Sequence, residues 1–593
     1  MTENNQAQKT VTEESVINCH THIFTGDHVP PWLAKTFLPF PFYYLFPLSA
    51  LVRFFRWWYR YPAEIKYKWW YKKLVIWKNN ATVFLRQLGI LRPLLAGLIS
   101  VHVLYILLYW FMPLLPGANN SWVNRILLAE KWLREHYLLY PLPGQLLKLI
   151  FLLIVLLFIP SGRNLILFLF KKIWSFIALL PGKQTTAMFR RYLNIGRYAF
   201  HREQSSIFGK LRDQYPAGTR FVVLPMDMEY MGAGKVKKRY RDQLEDLRRL
   251  KQQQGNLFLP FLFADPRRMA LLPAAEKNAR PDDKPYFDYT FSNGTVQLQD
   301  SVIRDCLEGT QRFSGIKIYP ALGYYPFDET LLPLWKYAAD HGIPVMTHCI
   351  RGTIFYRGKK KKEWNRHPLF EQAAGRGKYE PLLLPEMNNI DFSVHFTHPL
   401  NYLCLVEEYL LRKWVGKCSG KIQSLFGYTD PETALKHDLR ALKICFGHFG
   451  GDDEWARYFE KDRDLISNQL VTHPDTGTRF LFNEKNEYLP GKAEQLWRDA
   501  DWYTLICSMM LQYPSNIYAD ISYILHSETA ILPLLKRTLA HPVLQQQVLF
   551  GTDFYVVRNH KSDKQMLADM MGGLDKISFD RIARQNPKRF LNL

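Results

Sequence analysis

Five side chains in this sequence could do chemistry together. His20 and His22 sit one residue apart in VINCHTH, His348 closes IPVMTH, His448 closes LKICFGH, and Asp553 closes VLFGTD. Each stands at the end of a short apolar run. Imidazole nitrogen and carboxylate oxygen are ligands that suit Zn²⁺ or another divalent first-row metal. With one residue between them on an extended segment, the His20 and His22 rings can point the same way and share one ion. A lone His-x-His is weak evidence; joined to two strand-end histidines and a Gly-Thr-Asp it becomes strong.

Residues so far apart in sequence converge only if their elements gather strand ends in one place. A β/α barrel does this, because its parallel strands deliver side chains to a common C-terminal face. Apolar, turn-bounded runs at 16–19, 221–225, 257–263, 315–320, 343–347, 442–446, 516–522 and 546–551 alternate with helical stretches, which predicts eight parallel strands. The expected fold is a (β/α)8 TIM barrel with a large, mainly helical hydrophobic insert after strand 1. Residues 1–29 would start the barrel, 30–200 form the insert, and 201–593 complete the barrel.

The formal net charge of +23 suggests a nucleic-acid partner until its distribution is read. Residues 30–200 carry 22 Lys/Arg against three acids, Glu64, Glu130 and Glu135, whereas the rest of the chain carries 55 against 51. The cationic segment is also rich in Trp, Tyr, Phe and Leu, so membrane lipid is the better partner and no nucleic acid is expected. Residues 95–115 are free of formal charge over about the ~20 residues that span a hydrocarbon layer. A second stretch, 146–170, is interrupted by Pro160, Ser161, Gly162 and Arg163, and a third, 37–52, suits the interface. Trp57, Trp58, Trp69, Trp70 and Trp77 alternate with Arg56, Arg60, Lys68, Lys72 and Lys78, the mixture a headgroup layer accepts. Barrel strands lie on both sides of the insert, so it must cross an even number of times. Two crossings with basic outer flanks place the barrel in the cytoplasm, at the inner membrane. Seven cysteines without a CxxC pair argue against a disulfide framework, and the first ten residues lack the pattern of a secretory signal.

The pieces CHTHIF (19–24), FADPRR (263–268), GIKIYP (315–320), GIPVMTH (342–348), GHFGG (447–451), NIYADIS (516–522) and FGTDF (550–554) resemble the amidohydrolase superfamily, particularly its amidohydrolase-2 branch related to aminocarboxymuconate-semialdehyde decarboxylase. The resemblance covers 16–24 and roughly 215–593. The insert has no counterpart in it, and Asn18 and Cys19 stand where many members carry an Asp before the His-x-His. The resemblance implies that His20, His22, His348 and Asp553 hold one metal ion, Zn²⁺ or a similar divalent cation, with a water completing the shell. Asp553 would take the water's proton and pass it to the leaving group, and His448 would polarise the substrate beside the ion or bind a second one. Lys317 would bridge two metals when carboxylated, or be structural.

The implied activity is metal-dependent hydrolysis of a C–N or C–O bond in an amide, lactone or ester, with non-oxidative decarboxylation as the alternative and a scaffold without turnover as a third reading. Arg351, Arg267 and His398 are candidates for contact with an anionic or lipid-linked small-molecule substrate. Arg267 could equally close its loop through Asp265, and His398 could cap a helix. Arg351 opens the segment 351–367, which reads equally as a mobile lid that attracts an anionic substrate or touches lipid headgroups and as a solvated loop. A homodimer is compatible with the resemblance.

Overall fold

The computed structural model describes residues 15–36, 42–45, 69–87, 89–111, 121–159 and 196–593 except 277, 353–354, 376, 385–393, 484 and 486, with isolated positions between 47 and 56 and at 164–169. Eight strands lie where the apolar runs predict them: β1 (Ile17–Thr21), β2 (Arg220–Val223), β3 (Phe258–Phe263), β4 (Gly315–Lys317), β5 (Val345–Ile350), β6 (Ile444–Gly450), β7 (Ile517–Asp520) and β8 (Val548–Leu549). They pair in chain order and in parallel. The sheet closes on itself, since Cys19 N donates to Phe550 O at 2.9 Å, Asp553 N donates to His20 O at 2.8 Å, and Thr21 bridges Phe554. The chain is therefore a β/α barrel. Two short antiparallel hairpins, Tyr289–Leu298 and Arg366–Leu383, lie outside it.

The barrel has two apolar layers. Inside, Ile17, Cys19, Val222, Leu259, Met346 and Leu549 pack with Phe590 and Leu591. The latter two come from the C-terminal helix Asn586–Leu591, which plugs the end where strands begin: Asn586 Nδ2 donates to Val548 O at 2.7 Å and Lys443 Nζ to Arg589 O at 2.8 Å. Outside, helices cover the strands, as Leu332–Asp340 does with fully buried Leu334, Trp335 and Ala338. Aromatic residues carry much of this layer. Phe208, Phe221 and Phe258 are buried edge to face at 5.0–5.7 Å, each ring burying about 150–250 Å². With one end plugged and the wall sealed, polar side chains can gather only at the other end.

Alternation decides which residues reach that end. Lys317, His348 and Asp520 continue the inward-facing series of their strands. On β1 the register against β2 shifts between Asn18 and Thr21; His20 lies within that shift and His22 beyond it, and both join the site.

The insert forms a compact unit of its own, Trp57–Arg190, narrower than the expected 30–200. The difference has a simple cause: Val29, Leu33 and Tyr198 are buried in the barrel's outer core, so the insert's sequence flanks belong to the barrel. Its described helices are Trp69–Gln87, Leu91–Phe111, Ser121–Glu135 and Gln145–Phe158. Among the described residues one helix segment, Pro93–Phe111, is long and apolar enough to cross a membrane, with a mean hydropathy of 2.0. The stretch expected at 146–170 is helical through Phe158; 160–163, together with 57–68 and 112–120, lies outside the described residues.

Candidate metal centre

All five expected side chains meet at the open end of the barrel, every one buried. His22 Nε2 lies 3.2 Å from Asp553 Oδ1, and His20 Nε2 lies 3.8 Å from the same oxygen. The His20 and His448 ring centres are 4.6 Å apart, and His448 Nε2 is 3.0 Å from His348 Nδ1. The tightest group is His20, His448 and Asp553, whose donor atoms all fall within 4.8 Å of one another. His448, expected beside an ion, is thus as well placed to ligate as His20. His22 and His348 flank the trio, one through Asp553 and the other through His448.

The partners of these rings determine which nitrogens are bare. His20 Nδ1 donates to Asp520 Oδ2 at 2.9 Å, so its Nε2 carries the lone pair. His22 Nδ1 donates to Leu224 O at 2.8 Å, which again leaves Nε2 bare. The Ser522 hydroxyl gives its proton to Asp520, so at 2.9 Å it accepts from His448 Nδ1; His448 Nε2 then accepts from His348 Nδ1 at 3.0 Å, which leaves His348 Nε2 bare. The His20 and His22 lone pairs therefore face the Asp553 carboxylate in a buried space, with His448 close by. Burial, together with neighbouring Lys317 and the other imidazoles, holds His20 and His348 well below the usual imidazole range, and His448 follows for the same main reason. Burial also raises the Asp553 carboxyl.

Such a cluster of acceptors needs a positive partner. The nearest fixed cation, Lys317, donates to Thr347 O at 3.4 Å, and burial lowers its amine to about 8 against the pull of Asp520 and Asp553. The residues fit a divalent ion. His20 Nε2 and His348 Nε2 have no hydrogen-bond partner, and the separations of 3.2 and 3.8 Å from His22 and His20 to Asp553 Oδ1 lie near the edge of about 3.3 Å that tetrahedral bonds of about 2.0–2.1 Å require. Backbone geometry supports a built site. His448, Phe449 and Asp553 adopt φ of +67°, +44° and +62°, a left-handed conformation that costs roughly 1–3 kcal/mol each and is held by the surrounding pairing.

Four residues that shape the site carry no obvious chemical signature in sequence. Asp520 orients His20 and also accepts from His448 N at 3.2 Å; its only sequence signal is its place at the end of NIYAD. Asn18 accepts from His20 N at 3.2 Å and Thr552 N at 3.3 Å, and donates to Tyr215 OH and Thr552 Oγ1 at 2.8 Å. Thr552 Oγ1 donates to Asp563 Oδ1 at 2.6 Å, and burial pushes that carboxyl up to about 6. Asn18 thus staples β1 to the end of β8.

The substrate-contact candidates fare differently. Arg351 lies beside the centre: its Nε is 3.3 Å from Glu454 Oε1, 39% of its side chain is exposed, and a Cβ on neighbouring Gly352 would come within 3.3 Å of His348 Nε2. Arg267 is not available, because Nε and Nη2 grip Asp265 at 2.8 and 2.6 Å and the guanidinium lies over Tyr230. It closes its own loop. His398 is buried, stacks on Trp497 at 3.9 Å and accepts from Leu400 N at 3.2 Å, capping the turn Pro399–Tyr402. Beyond 353–354, which lie outside the described residues, the segment is tied down at two backbone amides. Tyr356 N donates to Ala321 O at 2.8 Å and Arg357 N to Met231 O at 2.6 Å.

No family model matches the sequence, and no curated protein matches it. Among solved structures the chain is similar to 5-carboxyvanillate decarboxylase of Novosphingobium aromaticivorans complexed with manganese and 4-hydroxy-3-methoxy-5-nitrobenzoic acid, at 13% identity over 71% of this chain and 87% of that one, with a TM-score of 0.34. It is also similar to 4-oxalomesaconate hydratase of Rhodopseudomonas palustris, at 13% identity over 65% and 80%, TM-score 0.30. An amidohydrolase of Mycobacterium avium subsp. paratuberculosis matches at 12% identity over 66% and 74%, TM-score 0.27. Likenesses this distant assign no chemistry to the chain.

Proposed function

We propose that this protein is a metal-dependent hydrolase of the amidohydrolase type, holding one divalent cation among His20, His22, Asp553 and the His348–His448 pair. The observation that carries the reading is the convergence of four imidazoles and a carboxylate in a buried space, with His20 Nε2 and His348 Nε2 left without a hydrogen-bond partner. A divalent ion bound there supplies Lewis acidity and a water acidified towards a pKa of about 7. Asp553 is the residue placed to accept that water's proton, because its carboxylate already faces two imidazoles and burial favours its protonated form. Asp520 and Ser522 hold His20 and His448 in the required tautomers. Arg351 supports a small anionic substrate at the mouth.

The insert supports attachment to lipid, with the barrel on the cytoplasmic side. The carrying feature is 22 Lys/Arg against three acids within an apolar segment of 171 residues, 30–200.

The test has two stages. Purified full-length protein should contain about one equivalent of zinc, manganese or another divalent metal by elemental analysis. The loaded protein should then hydrolyse members of a panel of lactones, esters and amides bearing a carboxylate. Release of CO₂ from β-keto or aromatic carboxylates without hydrolysis would make it a decarboxylase instead. Native protein free of metal and unable to bind any would overturn the proposal.

A further inference from the structure

We infer that the insert lies in one leaflet of a bilayer rich in anionic lipid, on the same side as the barrel, and does not cross it. The inference rests on the lipid-attachment reading and deepens it. Helices Leu91–Phe111 and Gln145–Phe158 run antiparallel: Trp110 Nε1 donates to Gln145 Oε1 at 2.7 Å, Lys148 Nζ lies 3.5 Å over the Tyr109 ring, and the His102 and Phe151 rings are 6.1 Å apart. The intervening segment adds more polar contacts at the same level. Arg134 donates to Tyr105 OH at 2.9 Å while paired with Glu130, and Tyr140 N donates to His102 Nε2 at 3.0 Å. Polar groups therefore collar this hairpin from His102 to Trp110.

Lengths decide the matter. Between Arg92 in sequence and the first collar residue, His102, ten residues rise about 15 Å, and from Lys148 to Ile159 the rise is roughly 16 Å. The hydrocarbon layer is about 30 Å thick, so although Pro93–Phe111 has the length and hydropathy to cross, the part of each arm free of collar contacts is half as long as a crossing demands. A crossing would hold Arg134, Glu130 and Lys148 within hydrocarbon, where a charge near the centre costs at least about 2.5–3.5 kcal/mol. Lying along the surface removes that cost: both polar ends stay at headgroup depth. Exposed Leu94, Leu98, Leu149 and Leu153 then have one leaflet to enter. Helix Trp69–Gln87 supplies the complementary charge, with exposed Lys72 and Lys73 beside exposed Trp69 and Trp77. Zero crossings satisfy the parity of the flanking barrel strands as well as two do.

The seven cysteines are all buried, so introduced thiols can be read alone. Tyr137→Cys and Lys131→Cys, at positions 95% and 75% exposed in the connecting segment, are compared with Asp475→Cys on the barrel unit. Full-length variants are labelled with a membrane-impermeant maleimide in right-side-out and in inverted membrane vesicles from the expressing cells. All three thiols should react in the same vesicle orientation. Reaction of positions 131 and 137 only in the orientation that protects 475 would overturn the inference while leaving attachment intact. Absence of the unmodified chain from the membrane fraction, seen before any label is added, would instead remove the attachment reading and this inference with it.

Discussion

His20 Nδ1 and Asp520 Oδ2 lie 2.9 Å apart, both wholly buried, and join the first barrel strand to the seventh across 500 residues of chain. This bond makes the imidazole present Nε2, rather than Nδ1, to Asp553 and His448. A carboxylate behind a ligating histidine fixes its tautomer and raises its basicity. Asp520→Ala should therefore weaken metal binding by about 10–100-fold, measured by competition with a chromophoric chelator. Asp520→Asn, which keeps an acceptor for the ring N–H, should lose less. Equal losses in the two variants would deny the orienting role.

The ligand set can be separated by substitution. His20→Ala and Asp553→Ala should abolish metal retention after dialysis. His448→Ala should do the same, because its nitrogen belongs to the tight trio. Full metal content in His448→Ala, together with loss in His348→Ala, would return His448 to a place beside the ion.

Asn18 holds two backbone N–H groups and two side-chain oxygens from three segments of the barrel. Truncation leaves the His20 and Thr552 amides buried without an acceptor, at about 1–3 kcal/mol each. Asn18→Ala should lower the free energy of unfolding by at least about 2 kcal/mol in urea titration. Because the staple sets the approach of β1 to β8, metal affinity should fall as well. A variant as stable as the parent would show that the network is slack.

Acid should destabilise the metal-free protein with a predictable sign. Burial holds His28 and His367 at about 3, so below pH 6.5 the unfolded chain takes two protons that the folded chain does not. Asp563, raised to about 6, opposes this by one proton between its unfolded value of 3.8 and 6. The net is one extra proton on the unfolded state. Other buried histidines shifted downwards, such as His398, add to it, while other raised carboxyls, Asp553 and Asp501 among them, oppose it. Stability should rise from pH 4 to 6, by about 1.4 kcal/mol per pH unit for each net proton. His367→Gln should flatten that slope even though it lowers stability overall. A midpoint of unfolding independent of pH across this window would contradict the buried neutral state of these rings.

Much of the fold was legible because its signals are local. A run such as FLPFLF or ICFGHFG is apolar and turn-bounded wherever it lies, and eight such runs with helices between them predict a parallel barrel without knowledge of any contact. The same locality put His20, His22, His348, His448 and Asp553 at strand ends. Position 18 could be seen to hold an unusual residue, but not what it does: its amide meets Thr552 across 534 residues. Arg267 illustrates a choice left open. Its guanidinium could meet a substrate or close its own loop as far as the sequence tells, and only the loop geometry puts it on Asp265, two residues away.

What the chain's own order determined is the set of strands, the chemistry at their ends and the concentration of charge between residues 30 and 200, since each follows from residue type and spacing along a short stretch. What tertiary structure decided is which nitrogen of each imidazole stays bare, that His448 stands in the tight trio, that 57–190 is the separate unit, and that two of the insert's helices pair antiparallel. Those outcomes depend on distances between segments brought together by closure of the sheet and by the antiparallel hairpin, and no local pattern encodes a distance across hundreds of residues.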